Sequence, residues 1–133
     1  MNKTALFICG TLFGATAAIT TVALAQAELD PLKLSPELYA ARLENNYVRV
    51  YEYRIKPGVK DPMHSHPHGL VYALASGTLR STAPDGHTST SEIQAGELVW
   101  REGVTHALEN VGSTEMHALS VELKPCTADA AAR

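Results

Sequence analysis

Histidines at short, even spacing are the residues in this chain best suited to chemistry. His64 and His66 stand two apart in GVKDPMHSHPHGLVYALASG, Gly58 to Gly77. On an extended segment, side chains two apart point to the same side, so both imidazoles can reach one ion. A helix would do this only at spacings of three or four. His68 continues the period, and Pro62 and Pro67 flank the cluster. Each proline removes a backbone donor and fixes φ, which fits a strand entering a loop and argues against a helix. The rest of a site is expected in GELVWREGVTHALEN, Gly96 to Asn110, where His106 is the candidate third ligand. Imidazole nitrogens bind divalent first-row metals well. Two ligands from one strand and one from a neighbour occupy one face of a coordination sphere. The opposite positions stay open to water, substrate or dioxygen.

These two stretches resemble the two motifs of the cupin superfamily of small β-barrels. In the first family pattern, G-x5-H-x-H-x3or4-E-x6-G, Gly58, His64, His66 and Gly77 fall in place, and Leu70 stands where the pattern has Glu. In the second, G-x5-P-x-G-x2-H-x3-N, Gly103, His106 and Asn110 fit. Arg101 stands where Pro is usual, and Gly96 is one residue closer than the pattern asks. The resemblance covers roughly the middle of the chain. It implies an all-β, single-domain cupin barrel, a double-stranded β-helix or jelly roll. It also implies a divalent transition metal (Fe, Mn, Zn, Ni or Cu) held by His64, His66 and His106. In cupins a Glu usually adds a fourth ligand and a negative charge, which Leu70 cannot supply; some cupin dioxygenases use three histidines without it. The similarity to small quercetin-dioxygenase-like cupins implies a metal-dependent oxygenase or related enzyme acting on a small organic molecule. Two other readings stand beside it. One is a non-enzymatic module that captures a small ligand or metal ion, favoured by the loss of the carboxylate at Leu70. The other is a metal-free structural barrel working as a homodimer through its sheets and N-terminal arm.

The elements that must position these histidines read as short strands between turn signals, the pattern of a barrel or sandwich. Residues 26–44 form an arm interrupted by Pro31 and Pro36. Ser35-Pro36-Glu37 can open one helical turn with Ser as N-cap, and Tyr39 to Glu44 a first strand. Tyr47 to Ile55 is a strand with imperfect alternation: Val48 and Val50 share one face, and Tyr51, Tyr53 and Ile55 the other. A bulge, or cover on both faces, would reconcile them. Strands are expected at Leu70–Leu74, Thr78–Arg80, Thr88–Ile93 (mostly exposed), Glu97–Arg101 and Met116–Leu123, with a Pro84-Asp85-Gly86 turn between the motifs. Trp100 is expected to pack. His117, Leu119, Val121 and Leu123 are expected to share the inward face of the last strand, with His117 lining the core or pocket. His68 is expected to orient a neighbour or face the entrance, and His87 to lie on the surface. Tyr47, Tyr51, Tyr53 and Tyr72 are candidates for the pocket wall or for barrel packing. Among Arg49, Arg54, Arg80 and Arg101, any that faces inward could grip a carboxylate bidentately.

Length and composition bound the rest. At 133 residues and 45% hydrophobic content the chain suits one globular domain. A formal net charge of -3 with no run of Lys and Arg gives no electrostatic footprint for nucleic acid or a membrane surface. Residues 1–25 carry Lys3, then an apolar stretch from Ala5 to Leu24 ending in Ala23-Leu24-Ala25. This reads as a secretory signal cleaved after Ala25 or Ala27, which predicts a periplasmic or secreted protein without stable membrane insertion. The barrel is expected over 45–124 and a disordered tail over 125–133. Cys9 would leave with the signal, so Cys126 would have no intramolecular partner.

Overall fold

A computed structural model describes residues 28–125. The expected signal segment, its cleavage site, Cys126 and nearly all of the expected tail lie outside the described residues. From residue 29 on, the described chain is all-β apart from one short helical turn, α1 (Pro31–Leu34). Nine strands follow: β1 (Tyr39–Glu44), β2 (Val48–Ile55), β3 (Lys60–His66), β4 (Gly69–Ala75), β5 (Gly77–Thr82), β6 (Thr88–Ile93), β7 (Leu98–Arg101), β8 (Val104–Asn110) and β9 (Met116–Leu123). They form two antiparallel sheets, one in the order β1-β2-β9-β4-β7 and one in the order β3-β8-β5-β6.

The helical turn begins earlier than expected. Asp30, not Ser35, is the N-cap: its carboxylate accepts from Leu32 N at 3.1 Å, and Pro31 occupies the first helical position. Ser35 closes the turn instead, and its buried hydroxyl donates to Asp61 Oδ1 at 2.6 Å. Tyr39, at the start of β1, also donates to Asp61. The segment before β2 is therefore fastened to the strand that carries His64 and His66.

The irregular pattern of β2 is resolved by burial on one side and partial cover on the other. Tyr51, Tyr53 and Ile55 are buried inside, while Val48 and Val50 are half-buried outside. The register with β9 runs unbroken from Val48 to Ile55, and the bulge sits in β1, between Ala41 and Leu43. The core gathers Tyr39, Tyr51, Tyr53, Ile55, Leu79 and Met116 with Ala73 and Ala118.

This register sets the phase of β9 opposite to expectation. Tyr51 faces Ser120, Tyr53 faces Ala118 and Ile55 faces Met116. Residues directly opposite share a face, so Met116, Ala118, Ser120 and Glu122 point inward. His117 is on the outer face, against Glu52. Trp100 departs from expectation too. It stays half exposed and stacks on His68, ring centroids 6.3 Å apart. With it on the outside of the five-stranded sheet are Leu98, at 62% exposure, and Tyr72, at 43%. Tyr72 and Leu98 are in register, as are Leu70 and Trp100.

Two motif residues are structural. Gly77 has no room for a side chain, because a Cβ there would lie 2.9 Å from that of Met116. Asn110 is wholly buried: its Nδ2 donates to the carbonyls of Ile55 at 2.7 Å and Thr114 at 2.8 Å, and its Oδ1 accepts from Gly112 N at 2.9 Å. One side chain thus ties the end of β2 to the turn between β8 and β9.

Candidate metal centre

Strands β3 and β8 pair antiparallel, with His64 directly opposite His106. His66, two residues on, leans to the same side. The rings meet with centroids 4.7 Å apart for His64 and His66, 4.9 Å for His64 and His106, and 5.4 Å for His66 and His106. One ring nitrogen from each lies within 4.8 Å of those of the other two. The structure therefore brings together the two histidines singled out by their spacing and the one that the motif resemblance adds. His68 is not among them: it is exposed, its Nδ1 2.7 Å from Glu102 Oε2. His87 lies in the exposed turn after β5, as expected.

Each imidazole is held from behind through Nδ1. His64 donates to the carbonyl of Pro62 at 2.7 Å, with Asp61 Oδ2 at 3.4 Å. His66 donates to Glu122 Oε1 at 2.8 Å, and the Tyr51 hydroxyl lies 2.9 Å from the same nitrogen. His106 meets Ser81 Oγ at 3.1 Å. A carbonyl or carboxylate can only accept, so His64 and His66 donate from Nδ1, which in the neutral ring leaves the lone pair on Nε2. The Nε2 atoms of His64 and His106 are buried and have no protein partner. Buried polar atoms are normally satisfied; an ion bound by all three rings would satisfy these. Burial pushes His66 down to about 4, against the pull of Glu122. Burial and the neighbouring His64 and His66 push His106 down to about 3. Both rings are neutral at pH 7, the form that ligates.

Behind the triad lies a charge cluster that motif spacing did not reveal. Glu122, 3% exposed, accepts from Tyr51 at 2.8 Å and from Arg49 Nε and Nη2 at 2.9 and 2.6 Å. Burial alone would raise its pKa, but the donors from His66, Arg49 and Tyr51 outweigh it and hold the carboxyl near 2. Arg49 also grips both oxygens of Asp30, at 3.0 and 2.9 Å. Glu122 escaped the sequence reading because β9 was phased on its apolar residues. The small residues Ala118 and Ser120, alternating with Leu119 and Val121, were the available sign that the other face points inward.

Leu70 needs a correction of its own. Along β4 the cavity-lining residue is Val71, and Leu70, one step along, points to the outer face, in register with Val121 and Trp100. Leu70 thus occupies no ligand position, and Val71 is the residue beside the histidines.

The triad opens into a cavity of about 460 Å³ whose walls include His66, His106, Tyr53, Val71 and Arg101. A larger cleft of about 720 Å³, walled by Arg49, Pro67, His68 and Lys124, contains none of the three histidines. The smaller cavity is the one that meets the chemistry. Of the arginines considered, Arg54 and Arg80 are exposed and paired with Glu115 and Glu109. Arg49 is occupied by carboxylates, and Arg101 reaches the cavity.

Fold and site together define a cupin: a small two-sheet barrel with its histidines on neighbouring strands of one sheet. The cupin-domain profile matches residues 51–122, so the chain belongs to the cupin family. It is 32% identical over 85 residues to the β-alanine degradation protein BauB of Pseudomonas aeruginosa, covering 62% of this chain and 88% of that one. Among solved structures it is similar to a cupin domain from Bordetella pertussis, with 30% identity and a TM-score of 0.61, over 66% of this chain and 93% of the other. A double-stranded β-helix protein from Klebsiella pneumoniae, 22% identical with a TM-score of 0.53 over 68% of this chain and 78% of that one, shares the fold.

Proposed function

We propose that this chain is an exported cupin that binds one divalent transition metal through His64, His66 and His106 and acts on a small organic molecule in the adjoining cavity. The observation that carries this is the convergence of three buried, back-braced imidazoles, two of them with Nε2 atoms lacking any protein partner. The donor set is three neutral nitrogens, which suits Fe, Mn, Zn, Ni or Cu. Bound there, such an ion would supply activation of dioxygen or water, or polarisation of a substrate oxygen. The chain's own part is to aim the rings. Glu122, Pro62 and Ser81 fix the three Nδ1 atoms, and outer partners of this kind set ligand orientation and basicity. The name of the Pseudomonas relative, a β-alanine degradation protein, makes β-alanine a first compound to try.

Elemental analysis of untagged protein from its native compartment, beside a His66→Ala control, tests this. Near-equimolar metal in the wild type and its loss in the control are expected; metal in neither sample would overturn the reading. Fractionation of the producing cells, with N-terminal sequencing of the mature protein, tests export.

A non-enzymatic binding role is the second reading. Among the described residues no carboxylate joins the three histidines as a ligand, and Glu122 reaches only the Nδ1 side of His66, so an ion there would hold an anion without turning it over. Oxygen uptake or product formation by the loaded protein, with β-alanine as a first substrate, separates enzyme from binder.

A further inference from the structure

We propose that Arg101 is the recognition residue for the carboxylate head of the ligand, which makes the natural ligand a small monocarboxylate. Arg101 ends β7 and turns inward beside Val99 to line the same cavity as His66 and His106. Its side chain is only 14% exposed, yet it is poorly partnered. Nη1 reaches Ser120 Oγ at 3.2 Å and Nη2 reaches Glu122 Oε1 at a long 3.4 Å. Nε is buried with no acceptor at all.

The neighbouring carboxylates do not explain it. Glu122 and Asp30 are both gripped by Arg49, through four contacts of 2.6 to 3.0 Å. Arg49 is thus saturated, and Arg101 keeps a buried N–H and a half-used charge. A buried donor without an acceptor is costly, and a guanidinium edge matches a carboxylate bidentately. The acceptor that completes Arg101 can come from the cavity side. Position 101 is also where the family pattern usually has Pro, which could not make this contact.

The rest of the cavity narrows the class. Leu79, Val71 and Leu108 give it apolar walls, and Glu92 and Glu97 stand exposed at its rim. One anionic head fits against Arg101; a second would meet the rim carboxylates. The inference deepens the metal-centre reading by naming its substrate class, but it rests on Arg101 and the cavity and can be tested with or without bound metal.

Titration calorimetry with propionate, propionamide and malonate, on metal-free and metal-loaded protein, provides the test. Propionate is expected to bind the wild type at least about tenfold more tightly than the neutral amide or the dianion. Arg101→Gln is expected to weaken propionate about 10- to 100-fold while leaving amide binding and metal content unchanged. Arg101→Lys, which keeps the charge and loses the fork, should fall between. Binding of propionate to metal-free protein in an Arg101-dependent way would uphold this inference even if the metal reading failed. Equal affinity for acid and amide, no propionate binding by the wild type, or full propionate affinity in Arg101→Gln would each overturn it. Loss of metal in Arg101→Gln would do so as well, by assigning the residue to support of Glu122.

Discussion

Glu122 Oε1 accepts the Nδ1 proton of His66 at 2.8 Å, linking the last strand of one sheet to the histidine strand of the other. The centre therefore has a carboxylate behind a ligand ring, not among the three histidines. Glu122→Gln keeps an acceptor for His66 and removes the charge. Metal affinity should fall about 10- to 100-fold, measured by competition with a chelator. Stability should fall by about 1–3 kcal/mol, because Arg49 loses one of its two carboxylate partners and keeps Asp30.

Position 70 should tolerate what position 71 does not. Since Leu70 faces outward, Leu70→Glu should leave metal content and metal preference unchanged, although it restores the family's letter at that place. Val71→Glu puts the carboxylate into the cavity beside the histidines. It should change metal affinity at least about tenfold. Matched metal titrations of the two variants check this, and equal behaviour would contradict the inward orientation of Val71.

Acid should destabilise the metal-free protein early. His66, held near 4, and His106, held near 3, are neutral when folded and titrate near 6.5 when unfolded. The unfolded chain therefore binds more protons below that value, and stability falls as pH drops from about 6.5 toward 3. Glu122, held near 2 against an ordinary 4.5, adds a loss in the same direction as pH falls from about 4.5 toward 2. Added as independent groups over the full window, these shifts amount to roughly 10 kcal/mol. Tm of chelated protein should hold level from pH 7.5 to about 6.5 and decline from there to pH 4, and a flat profile throughout would contradict the burial of the triad.

Asn110→Ala should damage the fold and spare the chemistry. It removes three hydrogen bonds of 2.7 to 2.9 Å and leaves buried backbone groups unsatisfied, at about 2–4 kcal/mol. Metal bound per folded molecule should not change, as read by denaturant melts beside elemental analysis.

The outer apolar face, with Tyr72, Leu98 and Trp100 exposed, should pair two copies of the chain. Sedimentation should find a dimer, and Tyr72→Glu with Leu98→Glu should give a folded monomer. A monomeric wild type would rule the pairing out.

Much of this was legible in the sequence because spacing encodes it. The turn signals and glycines located the strands, the period of two located His64 and His66, and the motif resemblance added His106. Phase was harder to read. In β9 both alternating sets are partly apolar, so periodicity could not say which one faces the core; the register with β2 decides it. Trp100 was misread because large aromatics usually pack, and here its face of the sheet has no cover among the described residues. The contacts of Asp61 with Ser35 and Tyr39, and of Arg49 with Asp30, join residues 19 to 26 positions apart, a distance over which no local pattern carries information.

Asp61, bound by Ser35 and Tyr39, lies three residues before His64, and Ser65 N donates to the carbonyl of Leu29 at 2.8 Å. The start of the described chain and the histidine strand are one mechanical piece. Occupancy of the site should then be readable at a distance, as resistance of the peptide bonds between Leu29 and Tyr39 to a protease. A tag or fusion joined just ahead of Leu29 is, for the same reason, bolted to the metal scaffold rather than hung from a free end.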